Sequence, residues 1–258
     1  MAYSEIHFTA SNSLGKMMSA MVITPDKLRG PFPVLYLLHG RSDDHTAWLR
    51  RSNLDRYVEQ LPLIVVMPNG ELGFYADAKS LPNSAYESMI VKDLIPYVDR
   101  VYRTRAERGG RAIAGLSMGG YGAFALALRN PHLFCAAHSF SGVMSIGARL
   151  ENAYGLRAIF GDTMPADAEP LLLAQSCDRD LRPRLSFDCG VDDFLIEDNR
   201  CMHEELAKSG IPHTYTEYPG GHSWPYWNEH ILDALPGLLT ALGVVETVRK
   251  SDHFMECV

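Results

Sequence analysis

Ala112-Ile113-Ala114-Gly115-Leu116-Ser117-Met118-Gly119-Gly120-Tyr121 reads as a buried strand turned abruptly into a helix. An apolar run leads into a Gly-x-Ser-x-Gly pentapeptide, and helix formers from Tyr121 to Leu128 follow it. A serine lifted out at the end of a strand needs a sharp turn, and glycines two residues to either side let the backbones approach closely enough to make it. Ser117 is therefore the candidate nucleophile. The chain has 21 glycines, so the spacing alone arises easily by chance; the flanks give it weight.

Other short apolar or β-rich runs surround this unit: Val34 to His39, Leu63 to Met67, Ala136 to Phe140, Leu185 to Cys189 and Thr214 to Tyr218. They read as strands buried on both faces. Helix-like stretches separate them at Thr46 to Gln60, Ala85 to Val101, Gly120 to Arg129, Asp198 to Lys208 and Glu229 to Leu242. Glu5 to Ala10 and Met17 to Thr24, around Asn12-Ser13-Leu14-Gly15, read as an antiparallel pair at the sheet edge. This alternation predicts an α/β fold: a mostly parallel central sheet of about eight strands, helices on both faces, and catalytic loops at the carboxyl ends of the strands. Ser145 to Arg184 is the least regular stretch, broken by Gly161, Pro165, Pro170 and Pro183. It reads as a small insertion at about 145–184 within a single domain spanning 1–258, placed either to roof a pocket or to serve only as a crossover.

Composition narrows the function classes. A chain of 258 residues, 47% hydrophobic and 21% charged, can bury roughly three quarters of its unfolded surface around one core. A net charge of -7 disfavours nucleic acid and anionic membrane surfaces, which need basic patches to displace counterions. Five scattered cysteines without a CxxC pair suggest reduced thiols in a cytoplasmic protein rather than disulfides or zinc. No stretch reaches the roughly 18 apolar residues of a membrane span, and the amino terminus carries no export-type pattern. No HExxH or comparable ligand spacing occurs, so no metal or other cofactor is expected. A small neutral partner fits this balance, and a homo-oligomer is left open.

A serine hydroxyl becomes a useful nucleophile only when a base takes its proton, and the base needs an acid to fix its tautomer. In the strand-turn-helix class these follow the serine in the order acid, then histidine. The strand Leu185 to Cys189 ends in Gly190-Val191-Asp192-Asp193-Phe194, and Thr214 to Tyr218 ends in Pro219-Gly220-Gly221-His222. Asp193, with Asp192 as rival, and His222 are the candidates. His138 falls in a buried strand and reads as a satisfied core histidine. The oxyanion of acyl transfer needs two backbone donors. Met118 N–H is one; Arg41 N–H, with Gly40 as rival, is expected as the other, braced by His39. Among the aromatics of these loops, Trp48, Phe74, Tyr75, Trp224, Tyr226 and Trp227, most read as packing residues. Trp224 leads the candidates for a pocket wall, with Trp48 beside it.

With these residues in place the chain resembles the putative-esterase family of α/β-hydrolases, which includes tributyrin-type esterases, S-formylglutathione hydrolases of the esterase D group, and feruloyl esterases. The likeness rests on Leu37-Leu38-His39-Gly40, Val65-Val66-Met67-Pro68-Asn69-Gly70, Gly115 to Ala123, Cys189 to Leu195 and Gly221-His222-Ser223-Trp224. It implies an α/β-hydrolase fold and serine carboxylesterase activity on short-chain acyl esters through an acyl-enzyme, with Ser117, Asp193 and His222 at the triad positions. Asp193-Phe194-Leu195 and the His-x-Trp pattern look closest to the tributyrin branch. The loop His39-Gly40-Arg41-Ser42 departs from S-formylglutathione hydrolases, which leaves a thioesterase as an alternative, beside a feruloyl or acetyl-xylan-type esterase. A hydrolase-fold binding protein without chemistry is the remote third.

Overall fold

The structure is a computed structural model that describes residues 1–26, 29–150, 155–163 and 166–244. Eight strands form one sheet: β1 (Ala2–Ala10), β2 (Lys16–Thr24), β3 (Val34–Leu38), β4 (Ile64–Pro68), β5 (Arg111–Leu116), β6 (Ala136–Phe140), β7 (Arg184–Gly190) and β8 (His213–Tyr218). Their spatial order is β1-β2-β4-β3-β5-β6-β7-β8. The first two strands pair antiparallel, β2 meets β4 antiparallel, and the rest run parallel.

The helices are α1 (Ala47–Arg51), α2 (Leu54–Val58), α3 (Tyr86–Ser88), α4 (Ile95–Val101), α5 (Met118–Arg129), α6 (Leu156–Phe160), α7 (Pro170–Ser176), α8 (Ile196–Lys208) and α9 (Trp224–Ala241). Alternation along β3 sorts the core. Tyr36 and Leu38 join Ile113, Phe124 of α5 and Leu206 of α8 on one face. Leu35 and Leu37 join Ala112, Trp48 of α1 and Leu235 of α9 on the other. Helices thus cover both faces, as a parallel sheet requires.

Several boundaries differ from the sequence reading. The helix expected over Thr46 to Gln60 is two helices, because Ser52 turns extended and its hydroxyl bonds Trp48 O while accepting from Leu54 N, competing with the helical ladder. Between α3 and α4 the ladder widens to a π-helical stretch, Met89–Leu94. It stops just before Pro96, which has no N–H for a carbonyl four residues back. α9 starts five residues before the expected Glu229, since Pro225 lies in a first turn where its missing N–H costs nothing. β8, expected to be buried on both faces, is only half-buried because it ends the sheet order.

Among the described residues between β6 and β7 lie short pieces: a 3-10 turn at Gly147–Arg149, α6, a second turn at Ala166–Ala168, and α7. Cys135, Cys177, Cys189 and Cys201 are unpaired. Cys257 lies outside the described residues. No helix among the described residues is long and apolar enough to cross a membrane.

Candidate active site

Ser117 stands between β5 and α5 with φ 53° and ψ -114°, a left-handed conformation that a residue with a side chain adopts only under constraint. Its N–H donates to Phe140 O at 2.9 Å, and its carbonyl accepts from Tyr121 N at 3.1 Å. Two glycines make the turn fit. A Cβ on Gly115 would lie 2.4 Å from Gly119 O, and one on Gly119 would lie 2.6 Å from His39 O. These neighbours are backbone and cannot step aside.

The loops after β7 and β8 bring the other two side chains to the same rim. His222 Nε2 lies 3.0 Å from Ser117 Oγ, and His222 Nδ1 lies 2.8 Å from Asp193 Oδ2. Asp193 is buried, and its second oxygen accepts from Leu195 N at 2.8 Å, so both carboxylate oxygens are occupied. Asp192, the rival acid, is exposed. A carboxylate on Nδ1 leaves the Nε2 lone pair aimed at a serine hydroxyl, the arrangement needed to withdraw its proton. Trp227 stands edge-on to His222 with centroids 4.9 Å apart, and Phe194 packs against it at 4.6 Å.

Met118 is the first residue of α5, so its N–H is one of the four that a helix leaves without an internal acceptor. Gly40 presses against the serine turn: a Cβ there would lie 3.6 Å from Ser117 Cβ and 2.4 Å from Leu116 Cδ1. His39 ties this loop down. Its Nδ1 donates to Gly40 O at 2.7 Å, its Nε2 accepts from Gly70 N at 2.8 Å, and Tyr75 OH donates to its carbonyl at 3.0 Å. Burial lowers the His39 pKa below the usual histidine value, which suits a ring that must keep one nitrogen as acceptor.

A cavity of about 200 Å³ opens over Ser117. Arg41, Met118 and His222 border it; Phe74, Val143 and Leu156 supply apolar wall. Val143, Arg149 and Leu156 come from the stretch between β6 and β7, so that segment contributes directly to the cavity. Trp48 and Trp224, expected as aromatic walls, do not line it. Trp48 is buried behind the serine loop, donating its indole N–H to Leu38 O, and Trp224 packs edge-on against it at 5.3 Å. Phe194, Val143, Arg149 and Leu156 escaped the sequence reading because they sit in loops, a 3-10 turn and a one-turn helix too short to show periodicity; Phe194, beside the acid, carried the one usable signal. Among the described residues no group of three or more His, Cys, Asp and Glu side chains is placed to hold a metal ion.

The family model described as "Putative esterase" matches residues 11–238. The chain belongs to that family. An acetyl esterase of Caldicellulosiruptor saccharolyticus is 29% identical over 215 residues, covering 78% of this chain and 80% of its own. The substrate-bound structure of FphF, a fluorophosphonate-binding serine hydrolase of Staphylococcus aureus, is 29% identical with a TM-score of 0.84, covering 92% of this chain and 98% of that one. The S-formylglutathione hydrolase FrmB of the same organism, in its apo form, is 28% identical with a TM-score of 0.80 over the same shares. The sheet order and flanking helices are those of an α/β-hydrolase esterase.

Proposed function

We propose that the protein hydrolyses short-chain carboxylic esters through an acyl-enzyme on Ser117, with His222 as base and then acid, and Asp193 as its orienting carboxylate. The observation that carries this reading is the unbroken relay from Asp193 through His222 to a serine held at positive φ on a helix N-terminus. Ser117 Oγ attacks the ester carbonyl as His222 Nε2 takes its proton. The oxyanion that develops meets Met118 N–H and a second backbone donor from Arg41 or Gly40. Such a donor contributes about 3–4 kcal/mol to transition-state stabilisation. His222 then returns the proton to the departing alcohol, and a water repeats the sequence to release the acid.

A cavity of about 200 Å³ favours small acyl groups, because drug-sized ligands occupy roughly 300–1,000 Å³. A series of p-nitrophenyl esters from acetate upward tests this: kcat/KM should peak at two to four acyl carbons, a window of roughly that pocket size. A maximum at long chains would contradict it. The similarity to an S-formylglutathione hydrolase supports a second reading, a thioesterase. Side-by-side kcat/KM values on S-formylglutathione and on a butyrate ester separate the two.

A further inference from the structure

At the amino-terminal ends of β7 and β8, the opposite end of the strands from Ser117, lies a cleft of about 400 Å³ lined by Arg179, Arg182, Arg184 and His213, with Pro183 and Pro212. A second cleft of about 390 Å³ adjoins it and shares Arg179 and Arg182. β7 has seven residues, so this cleft is roughly 20 Å from the catalytic rim at a rise of about 3.3 Å per residue. It is not an extension of the ester pocket.

Three guanidinium groups line this one cleft. The chain carries a net charge of -7, yet among the described residues no carboxylate lies within 4.0 Å of a nitrogen of Arg179, Arg182 or Arg184, nor of Arg108 behind them. Arg108 spends its donors on the carbonyls of Pro131, Leu181 and Arg182. The nearby Asp178 turns an oxygen to the N–H of Asp180. Arg182 is held in place by its bond to Cys177 O at 3.0 Å, while its Nε is buried without an acceptor. The two prolines offer no backbone N–H, so any recognition here falls to the side chains.

We propose that this cleft binds a small anion carrying at least two negative charges, a diphosphate or a polycarboxylate, gripped by the guanidinium groups of Arg179, Arg182 and Arg184. Planar guanidinium forks match phosphate and carboxylate oxygens two at a time, and three of them around one concavity suit a multivalent oxyanion better than chloride.

Isothermal titration of the full chain with pyrophosphate and, separately, with citrate, at constant ionic strength and at two temperatures, tests the site. At least one anion should bind saturably, with the stronger of the two assigning the ligand as phosphoryl or carboxylate. The paired substitution Arg179→Gln and Arg184→Gln, at two exposed positions, should weaken binding at least fivefold while the thermal melt is unchanged. Ser117→Ala and Arg100→Gln, both remote, should leave it intact. Flat titrations with both anions, a loss below fivefold in the paired variant, or an equal loss in Arg100→Gln would each overturn the assignment.

Discussion

His138 Nε2 and Asp188 Oδ2 lie 2.8 Å apart inside the sheet, a second histidine–aspartate pair, this one buried, in the same molecule as His222 and Asp193. The resemblance goes further, for His138 Nδ1 lies 2.8 Å from Ser186 Oγ. Yet Ser186 is in the middle of β7, paired on both sides, with no helix N-terminus beside it and no strained turn to lift it out. Tyr226 OH donates to the other oxygen of Asp188, so the network pins α9 to the sheet. Its role is packing. His138→Asn should lower stability by about 3–5 kcal/mol, as for breaking a buried pair, and leave nucleophile labelling intact in the folded fraction. Loss of labelling in a folded His138→Asn protein would contradict this assignment.

Asp193 and Asp192 are neighbours in sequence and opposites in environment. Asp193→Asn should lower kcat by about 10⁴-fold by holding the wrong tautomer on His222, with little change in KM. Asp192→Asn, at an exposed position, should stay within about threefold. Steady-state kinetics on p-nitrophenyl acetate separates the two, and equal losses would reopen the choice of acid.

Gly119→Ala would drive a methyl group to 2.6 Å from His39 O and 2.7 Å from Leu38 O. Overpacking of this kind costs about 1–3 kcal/mol, so a drop of about 2–12 °C in Tm is expected by calorimetry. A change within 1 °C would mean that the serine turn is looser than its contacts imply.

His39 links the fold to pH. Its folded-state pKa is depressed by burial, while the unfolded chain titrates near the ordinary value of about 6.5. Below that pH the unfolded state binds more protons, so stability rises with pH through the window and is lost on acidification. The His39 contribution is fully present above about pH 6.5 and fades below it. Thermal melts from pH 7.5 to 5 should show this loss, and His39→Gln should flatten it; an unchanged slope in the variant would refute the role.

Phe194 is 65% exposed, packs on His222 and borders the cavity mouth. Phe194→Ala should leave Tm nearly unchanged and lower kcat/KM on butyrate esters by about 3–30-fold, the effect of losing apolar contact with substrate. A large stability loss with unchanged kcat/KM would reverse the interpretation.

Much of this architecture was legible before any coordinates. Uniform apolar runs such as Val34 to Leu38 mark central strands because both of their faces are covered, and the glycines around Ser117 mark a turn that few other residues permit. Boundaries were harder where side chains override local pattern, as at Ser52, or where proline is harmless, as at Pro225. The cavity walls were least legible. Trp48 and Trp224 have the size and chain position of wall residues, but whether an aromatic faces a pocket or its neighbour depends on packing, and here they face each other. Arg149 and Leu156 reach the site from an irregular segment with no repeat to announce its direction.

The central claim is that the Ser117 hydroxyl is made nucleophilic by His222. Intact-mass spectrometry after treatment with a fluorophosphonate tests it most directly, with peptide mapping to locate the adduct. One adduct per chain on Ser117 is expected, absent in Ser117→Ala and slowed by at least about 10³-fold in His222→Ala. No adduct on the folded wild-type chain, or labelling that persists undiminished in Ser117→Ala, would contradict the account.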